Sequence, residues 1–414
     1  MSNSLPSSAF HAPLYPTGLP PLEAGLLPVL DQNHTFLRQL IHAKDGFLPY
    51  DEWMRAALYA PNVGYYSGGS TKFHAAGDFT TAPELSPLFG QSLAAQVQQI
   101  LQQCEAKAPH YTVLEFGAGS GALAESLLIA LAELGLTNIN YFILELSPSL
   151  RARQQQRLAA FGNQVQWLNE LPTDFVGCVI ANEVLDAMPV HMVQRDTDGK
   201  VLELGVTINT TPDHQAPSPF VLTARPATGE LLRVATQRLP KIAGYRSEIN
   251  LQAEAWIREM GVWLQQGAAL LIDYGFPARE FYHEQRHTGT LMCHFRHFAH
   301  GESLILAGLQ DITAHVDFTA MADAALEAKL DVLGYISQAH FLMNCGITQH
   351  LEQLHTLLDM NNPIHVQSWT QQVSAVQKLL SEAEMGELFK VLALGKAISP
   401  PLTGFMMRDR RDFL

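Results

Sequence analysis

A chain of 414 residues, 47% of them hydrophobic, exceeds the usual size of one compact domain and predicts a globular protein with either an enlarged core or an accessory lobe. Its 26 lysines and arginines against 40 acids give a formal charge of −14, the wrong field for a polyphosphate, so nucleic acid is not expected as a partner; a cationic peptide meets no such repulsion. No apolar run reaches the roughly 18 residues of a membrane span. No lysine or arginine precedes Arg38, as a transit peptide would need, and the scattered Cys104, Cys178, Cys293 and Cys345 form no CxxC pair, so a reduced cytoplasm is the predicted setting.

Residues 1–33 carry Ser, Pro and Gly without a sustained period and read as a flexible lead-in. Helical spacing starts at Phe36, Leu37, Leu40 and Ile41, and Asp51 opens a second helix ahead of Trp53, Ala56 and Ala57. Ser86 and Pro87 cap a third, whose apolar face is Leu88, Phe89, Leu93, Val97, Ile100 and Leu101. Residues 34–108 therefore predict a helical N-terminal extension, broken by a Gly- and aromatic-containing stretch at 61–85. At Tyr111 the pattern changes. A short apolar run, 111–116, ends in Gly and is followed by a helix over 122–134, a strand at 141–144 and a helix from Ser147-Pro148. Two further strands fall at 164–168 and 176–181, and such alternation predicts an α/β fold built of βαβ units on a parallel sheet. A β-rich insertion follows at about 190–250. A helix over 251–264 then leads into the apolar strand 268–272, which ends at Asp273. Late strands at 330–336 and 388–393 flank a helical insertion at about 337–385, and the core as a whole spans 109–414.

The central motif is Val113-Leu114-Glu115-Phe116-Gly117-Ala118-Gly119-Ser120-Gly121. Gly117, Gly119 and Gly121, with the small Ala118 between them, let the backbone turn tightly between strand and helix and approach a ligand closely. The helix start then offers free N–H groups to an anion. For S-adenosylmethionine that anion is the methionine carboxylate, with Glu115 holding the ammonium group. Residues 117–122 also satisfy the relaxed dinucleotide pattern, so a nicotinamide-dependent oxidoreductase stays open. Glu115 tilts the reading, since a carboxylate at that position repels a pyrophosphate. Glu145 ends the second strand, at about the spacing (roughly 20 residues) where an acid accepts ribose hydroxyls. Adenine is then expected around residues 167–169. The fourth strand ends in Asn182-Glu183-Val184-Leu185-Asp186, and ligands of open α/β sheets bind beyond such carboxyl ends. No Asn-Pro-Pro-Tyr loop is present, which weakens a nucleic-acid methylase further.

These segments occur in order with Gly64-Tyr65-Tyr66, the run from Gly77-Asp78-Phe79-Thr80-Thr81 through Glu84-Leu85-Ser86-Pro87 to Gly90, Ala187-Met188-Pro189, Ile272-Asp273-Tyr274-Gly275, Gly289-Thr290-Leu291 and 311–318. From about residue 34 to about 395 the chain resembles the MidA-type family of class I methyltransferases, whose mitochondrial members act in assembly of respiratory complex I. The resemblance implies a Rossmann-like seven-stranded sheet with an N-terminal extension and insertions, S-adenosyl-L-methionine as cofactor, and arginine methylation of a protein substrate.

An arginine nucleophile is protonated, so carboxylates must orient it and take its proton. Glu183 is the first candidate for that task, with Asp186 and Glu84 behind it. Asn182 is expected to face the cofactor pocket with its amide, and Asp78, Thr80 and Thr81 to close that pocket from the N-terminal side. The stretch from Cys293 to His300 invites a metal reading, but close spacing on one segment is not a ligand set, and no metal is expected. A methyltransferase for small molecules or other side chains, and a non-enzymatic assembly factor retaining the fold, are the rival readings. The oligomeric state stays open, a homodimer included.

Overall fold

The computed structural model describes residues 13–68, 81–104, 110–210 and 217–414; Asp78 and Thr80 lie outside them. The chain divides into two units that interleave along the sequence. One gathers Met1–Phe79, Ala187–Ala253 and Ala278–His315; the other gathers Thr80–Asp186, Glu254–Pro277 and Val316–Leu414.

The second unit is organised by a path of seven strands, numbered here along the chain: β1 (Tyr111–Phe116), β2 (Ile139–Leu144), β3 (Val165–Leu168), β4 (Phe175–Asn182), β5 (Leu264–Phe276), β6 (Asp331–Ser337) and β7 (Phe389–Lys396). Their order is β6-β7-β5-β4-β1-β2-β3, and the short strand Val316–Asp317 pairs with the end of β5. β1 to β5 run parallel, whereas β7 is antiparallel to both β5 and β6. The central strands are apolar through their middle residues because helices cover both faces. Val113, Leu114, Val179, Ile180, Leu270, Leu271, Val391 and Leu392 have no exposed surface. From β1 the chain winds one way to β2 and β3, then crosses back to β4 on the other side. The C-terminal ends of β1 and β4 therefore flank a switch point, the place where ligands of open α/β sheets bind.

The helix Pro87–Gln103 starts as its sequence requires, with Pro in the first turn and Ser86 Oγ accepting the N–H of Leu88 at 3.1 Å. Its buried Leu88, Leu93, Val97 and Leu101 share a core with Leu123, Leu127 and Leu131 of the helix Ala122–Glu133, which follows β1. Gly90 sets that approach: a methyl group there would overlap the Ser126 hydroxyl and lie 2.9 Å from its Cβ.

In the first unit, the strands Leu48–Pro49, Val201–Ile208, His191–Arg195 and Arg246–Ile249 form an antiparallel sheet in that order, and Phe220–Pro226 also pairs with Val201–Ile208. The helices Leu27–Ala43 and Tyr50–Tyr59 cover it through Leu37, Ile41, Trp53 and Met54, which join Met192, Leu204 and Phe220 in one core. Trp53 meets Phe220 edge-on at 4.9 Å.

The predicted lead-in is too long, because the first α-helix begins at Leu27. Leu26 and Leu30 are buried against Ile305, Leu306 and Leu309, partners about 280 residues away that no local period announces. The stretch from Cys293 to His300 is a hairpin of Met292–Phe295 and Phe298–His300, turned through Arg296 (φ 51°) and His297 (φ 64°). Cys293 stands opposite His300 and is buried in the core of this unit. No helix among the described residues is long and apolar enough to cross a membrane.

Gly90→Ala is expected to destabilise the protein by about 1–3 kcal/mol, since the two helices must part to admit the methyl group. Urea denaturation checks this, and a midpoint equal to that of the unaltered protein would show that the helices give way freely.

Candidate active site

Glu115 sits at the buried end of β1, with only 2% of its surface exposed. Its Oε2 accepts the hydroxyl of Tyr141 on β2 at 2.8 Å. Burial pushes the carboxyl from 4.5 up to about 7, a rise that the tyrosine hydrogen bond opposes and the charge of Glu145 reinforces. Such an acid is ionised at little cost only when a cation comes to it.

Directly beyond it the chain turns through Gly117 (φ 60°), Ala118, Gly119 (φ 54°), Ser120 and Gly121 (φ 85°), left-handed values that side chains rarely adopt. Gly121 caps the helix Ala122–Glu133 in the left-handed conformation. Among the described residues nothing lies within 4 Å of the position a Cβ would take at Gly119, whereas at Gly117 it would meet Val184 at 3.2 Å. Among those residues the loop thus lies open on one side and packs against the end of β4 on the other.

Glu145 lies just past β2. Its Oε1 accepts the N–H of Ser147 at 2.8 Å and its Oε2 accepts the Gln154 amide at 2.8 Å. Burial raises its pKa, partly offset by these hydrogen bonds. Gln154 is fully buried on the helix Pro148–Arg157. Its Nε2 also donates to the carbonyl of Gly119 at 3.0 Å, and its Oε1 accepts the indole N–H of Trp167 at 2.9 Å. One amide thereby ties together the second acid, the glycine loop and the aromatic ring of β3. Sequence reasoning missed Gln154, because that helix buries no other side chain and shows no apolar period.

At the end of β4, the N–H of Glu183 donates to Ile272 O on β5 at 2.9 Å, and Glu183 takes φ 54°. Asn182 donates from Nδ2 to Glu183 Oε1 at 3.0 Å, so it orients that acid. Asp273 on β5 is the residue not predicted. Its Oδ2 accepts the N–H groups of Leu185 and Asp186 at 3.0 and 3.2 Å, and its Oδ1 accepts that of Tyr274 at 2.9 Å. Burial, followed by the charges of Asp186 and Glu183, pushes its carboxyl well above the usual range. An acid closing an otherwise apolar strand was the available signal. Glu183, Asp186 and Asp273 thus gather at the carboxyl ends of adjacent parallel strands.

Glu84 belongs to a different group. It accepts hydrogen bonds from Ser120 Oγ and, at 3.5 Å, from Arg157, which also donates to Ser120 Oγ at 2.9 Å and to Glu125 at 2.7 Å. These contacts set Glu84, the third candidate carboxylate, on the glycine loop. Thr81 precedes the short helix Ala82–Leu85, and its carbonyl accepts the N–H groups of Glu84 and Leu85.

The arrangement suits an amino-acid nucleoside: a buried acid wanting a cation, an open glycine turn at a helix start, and a second acid already fixed by its neighbours. Residues 92–336 match the family described as "Putative S-adenosyl-L-methionine-dependent methyltransferase". A solved structure from Burkholderia thailandensis, bound to S-adenosyl-homocysteine, is 44% identical; the match covers 96% of this chain and 100% of that one, with a TM-score of 0.86. The protein arginine methyltransferase NDUFAF7, mitochondrial, of Danio rerio is 29% identical over 387 residues, 84% of this chain and 83% of its own. Its Homo sapiens counterpart is 28% identical over 392 residues, 86% and 82% of the two chains. Both are mitochondrial by name, which overturns the cytoplasmic expectation; a lead-in poor in basic residues does not decide the compartment. The class I methyltransferase fold and the S-adenosyl-L-methionine cofactor expected from the sequence both hold, and the chain belongs to this family of S-adenosyl-L-methionine-dependent methyltransferases.

Proposed function

We propose that this protein methylates an arginine side chain of a protein substrate. The observation that carries the reading is the group of three carboxylates, Glu183, Asp186 and Asp273, next to the glycine loop. Desolvated acids that repel one another are relieved by a cation, and a guanidinium is the side-chain cation best matched to carboxylates. The names of the curated relatives support the same substrate class.

In this reading Glu115 holds the ammonium group of the cofactor, and the backbone of Gly117, Ala118, Gly119 and Gly121 receives its carboxylate. Glu145, kept in place by Ser147 and Gln154, accepts the ribose hydroxyls. S-adenosylmethionine supplies a methyl group already activated on its sulfonium, so the chain contributes alignment and charge. Glu183, oriented by Asn182, pairs with the guanidinium and accepts the proton lost as the new N–C bond forms and the S–C bond breaks. Asp186 shares the cation, and Asp273 is a positioning residue that pins the turn carrying both acids.

The direct test is to incubate the protein with labelled cofactor and cell extract and to map the product by mass spectrometry. Label on arginine is expected; label on lysine or a small molecule only would refute the assignment. Glu183→Gln should retain affinity for S-adenosyl-homocysteine while transfer falls by about 10²–10⁴-fold, and undiminished turnover would remove Glu183 from the mechanism. Because Glu115 holds its proton up to about pH 7 in the folded state but only to about 4.5 otherwise, the ligand-free protein should lose stability as pH rises between those values. Affinity for S-adenosyl-homocysteine should fall as pH drops below about 7, where the acid is neutral. Both trends should be absent in Glu115→Gln, and identical pH profiles for the two proteins would rule out the ammonium contact.

A further inference from the structure

We infer a divalent-cation site, of the kind that takes Zn²⁺, formed by Asp51, His191 and Glu203 in the first unit. Three elements bring these residues together. His191 opens the strand His191–Arg195, and Glu203 lies on its antiparallel neighbour Val201–Ile208, where it stands opposite Val193. Side chains two residues apart share a face, so His191 and Glu203 project on the same side. Leu48–Pro49 pairs with Gly205–Val206 of that neighbour, and this delivers Asp51 in the first turn of the helix Tyr50–Tyr59.

One donor atom from each residue lies within 4.8 Å of the other two. His191 Nδ1 is 3.3 Å from Asp51 Oδ1 and 3.9 Å from Glu203 Oε1. Donors about 2.0–2.2 Å from a tetrahedral ion stand roughly 3.3–3.6 Å apart, so the first pair already has that spacing and the second needs only a small closure. The donors also have lone pairs to offer. Among the described residues, Asp51 Oδ1 and His191 Nδ1 are buried atoms with no hydrogen-bond partner, although they face one another. Glu203 is bound on its far side only, where Oε2 receives Arg225 at 2.7 Å, and this leaves Oε1 turned toward the imidazole.

Charge and access agree. Two carboxylates and the Arg225 guanidinium sum to one negative charge, which a divalent ion reverses rather than accumulates. The Asp51 and His191 side chains keep 15% and 22% of their surface exposed, so the cluster lies close to the protein surface although its two facing donor atoms are buried. One imidazole with two carboxylates and no thiolate is a borderline set that suits Zn²⁺, whereas Ca²⁺ would want six to eight oxygens. The bound ion would clamp the start of the helix Tyr50–Tyr59 to two strands, a structural role.

The alternative for the same three residues is an imidazolium bridging two acids, with no metal. Full-length, tag-free protein stripped with a chelator and titrated with Zn²⁺ by calorimetry separates the two. Titration with Co²⁺ followed by visible absorption reports the geometry of the shell. One equivalent of Zn²⁺, binding more than about tenfold weaker in both His191→Gln and Asp51→Asn, supports the site. A rise in melting temperature on adding Zn²⁺, seen in the unaltered protein and lost in Asp51→Asn, supports it independently. If His191→Gln fails to fold, Asp51→Asn decides alone. No uptake by the unaltered protein, or equal uptake by the variants, overturns the proposal.

Discussion

Negative charge held away from water is the constraint around which the site is built. Glu115, Asp186 and Asp273 expose 1–2% of their surface, near the carboxyl ends of largely apolar parallel strands. A buried carboxylate persists only where hydrogen bonds or a cation compensate for lost hydration. Here the compensation is partial: Tyr141 serves Glu115 and three backbone N–H groups serve Asp273, yet both acids remain shifted upward. What is left uncompensated is a standing demand for positive charge at two places, one before the glycine loop and one after β4. A sulfonium amino acid and a guanidinium would each meet one of them.

That demand is useful only if the acids stay where they are, and the polar scaffold around them explains how they do. Gln154 fixes Glu145, the carbonyl of Gly119 and the indole of Trp167 with one side chain. Asp273 does the same for the turn at residues 183–186 by receiving two successive backbone donors. Satisfied buried networks of this kind are rigid, so a ligand would find the groups already oriented.

Most of the sheet could be read from the sequence because strands covered on both faces appear as apolar runs, unbroken at 268–272 and nearly so at 111–116. The glycine loop and the acids at 115 and 145 were equally visible, since their meaning depends on neighbours in sequence. What depends on distant neighbours was not. Gln154 is one polar residue in a polar helix, and only the fold shows that it is buried. Glu84 carries the same charge as Glu183 but is held by Ser120 and Arg157. The compact Cys293–His300 run drew attention as a ligand set and proved to be a hairpin, while Asp51, His191 and Glu203, far apart in the chain, meet across two strands and a helix.

The position of β7 has a consequence for how the chain reaches its native state. This strand is contributed by residues 389–396, yet it lies inside the sheet, between β5 and β6. During synthesis β5 must therefore wait with one edge uncovered until the last tenth of the chain arrives, and β6 has no place to dock before then. Pairings between segments so far apart close slowly, and an uncovered apolar strand is a target for association with other chains. The second unit should thus depend on chaperones more than its size alone suggests, and its sheet should assemble from the middle outward, with the late strand acting as the keystone.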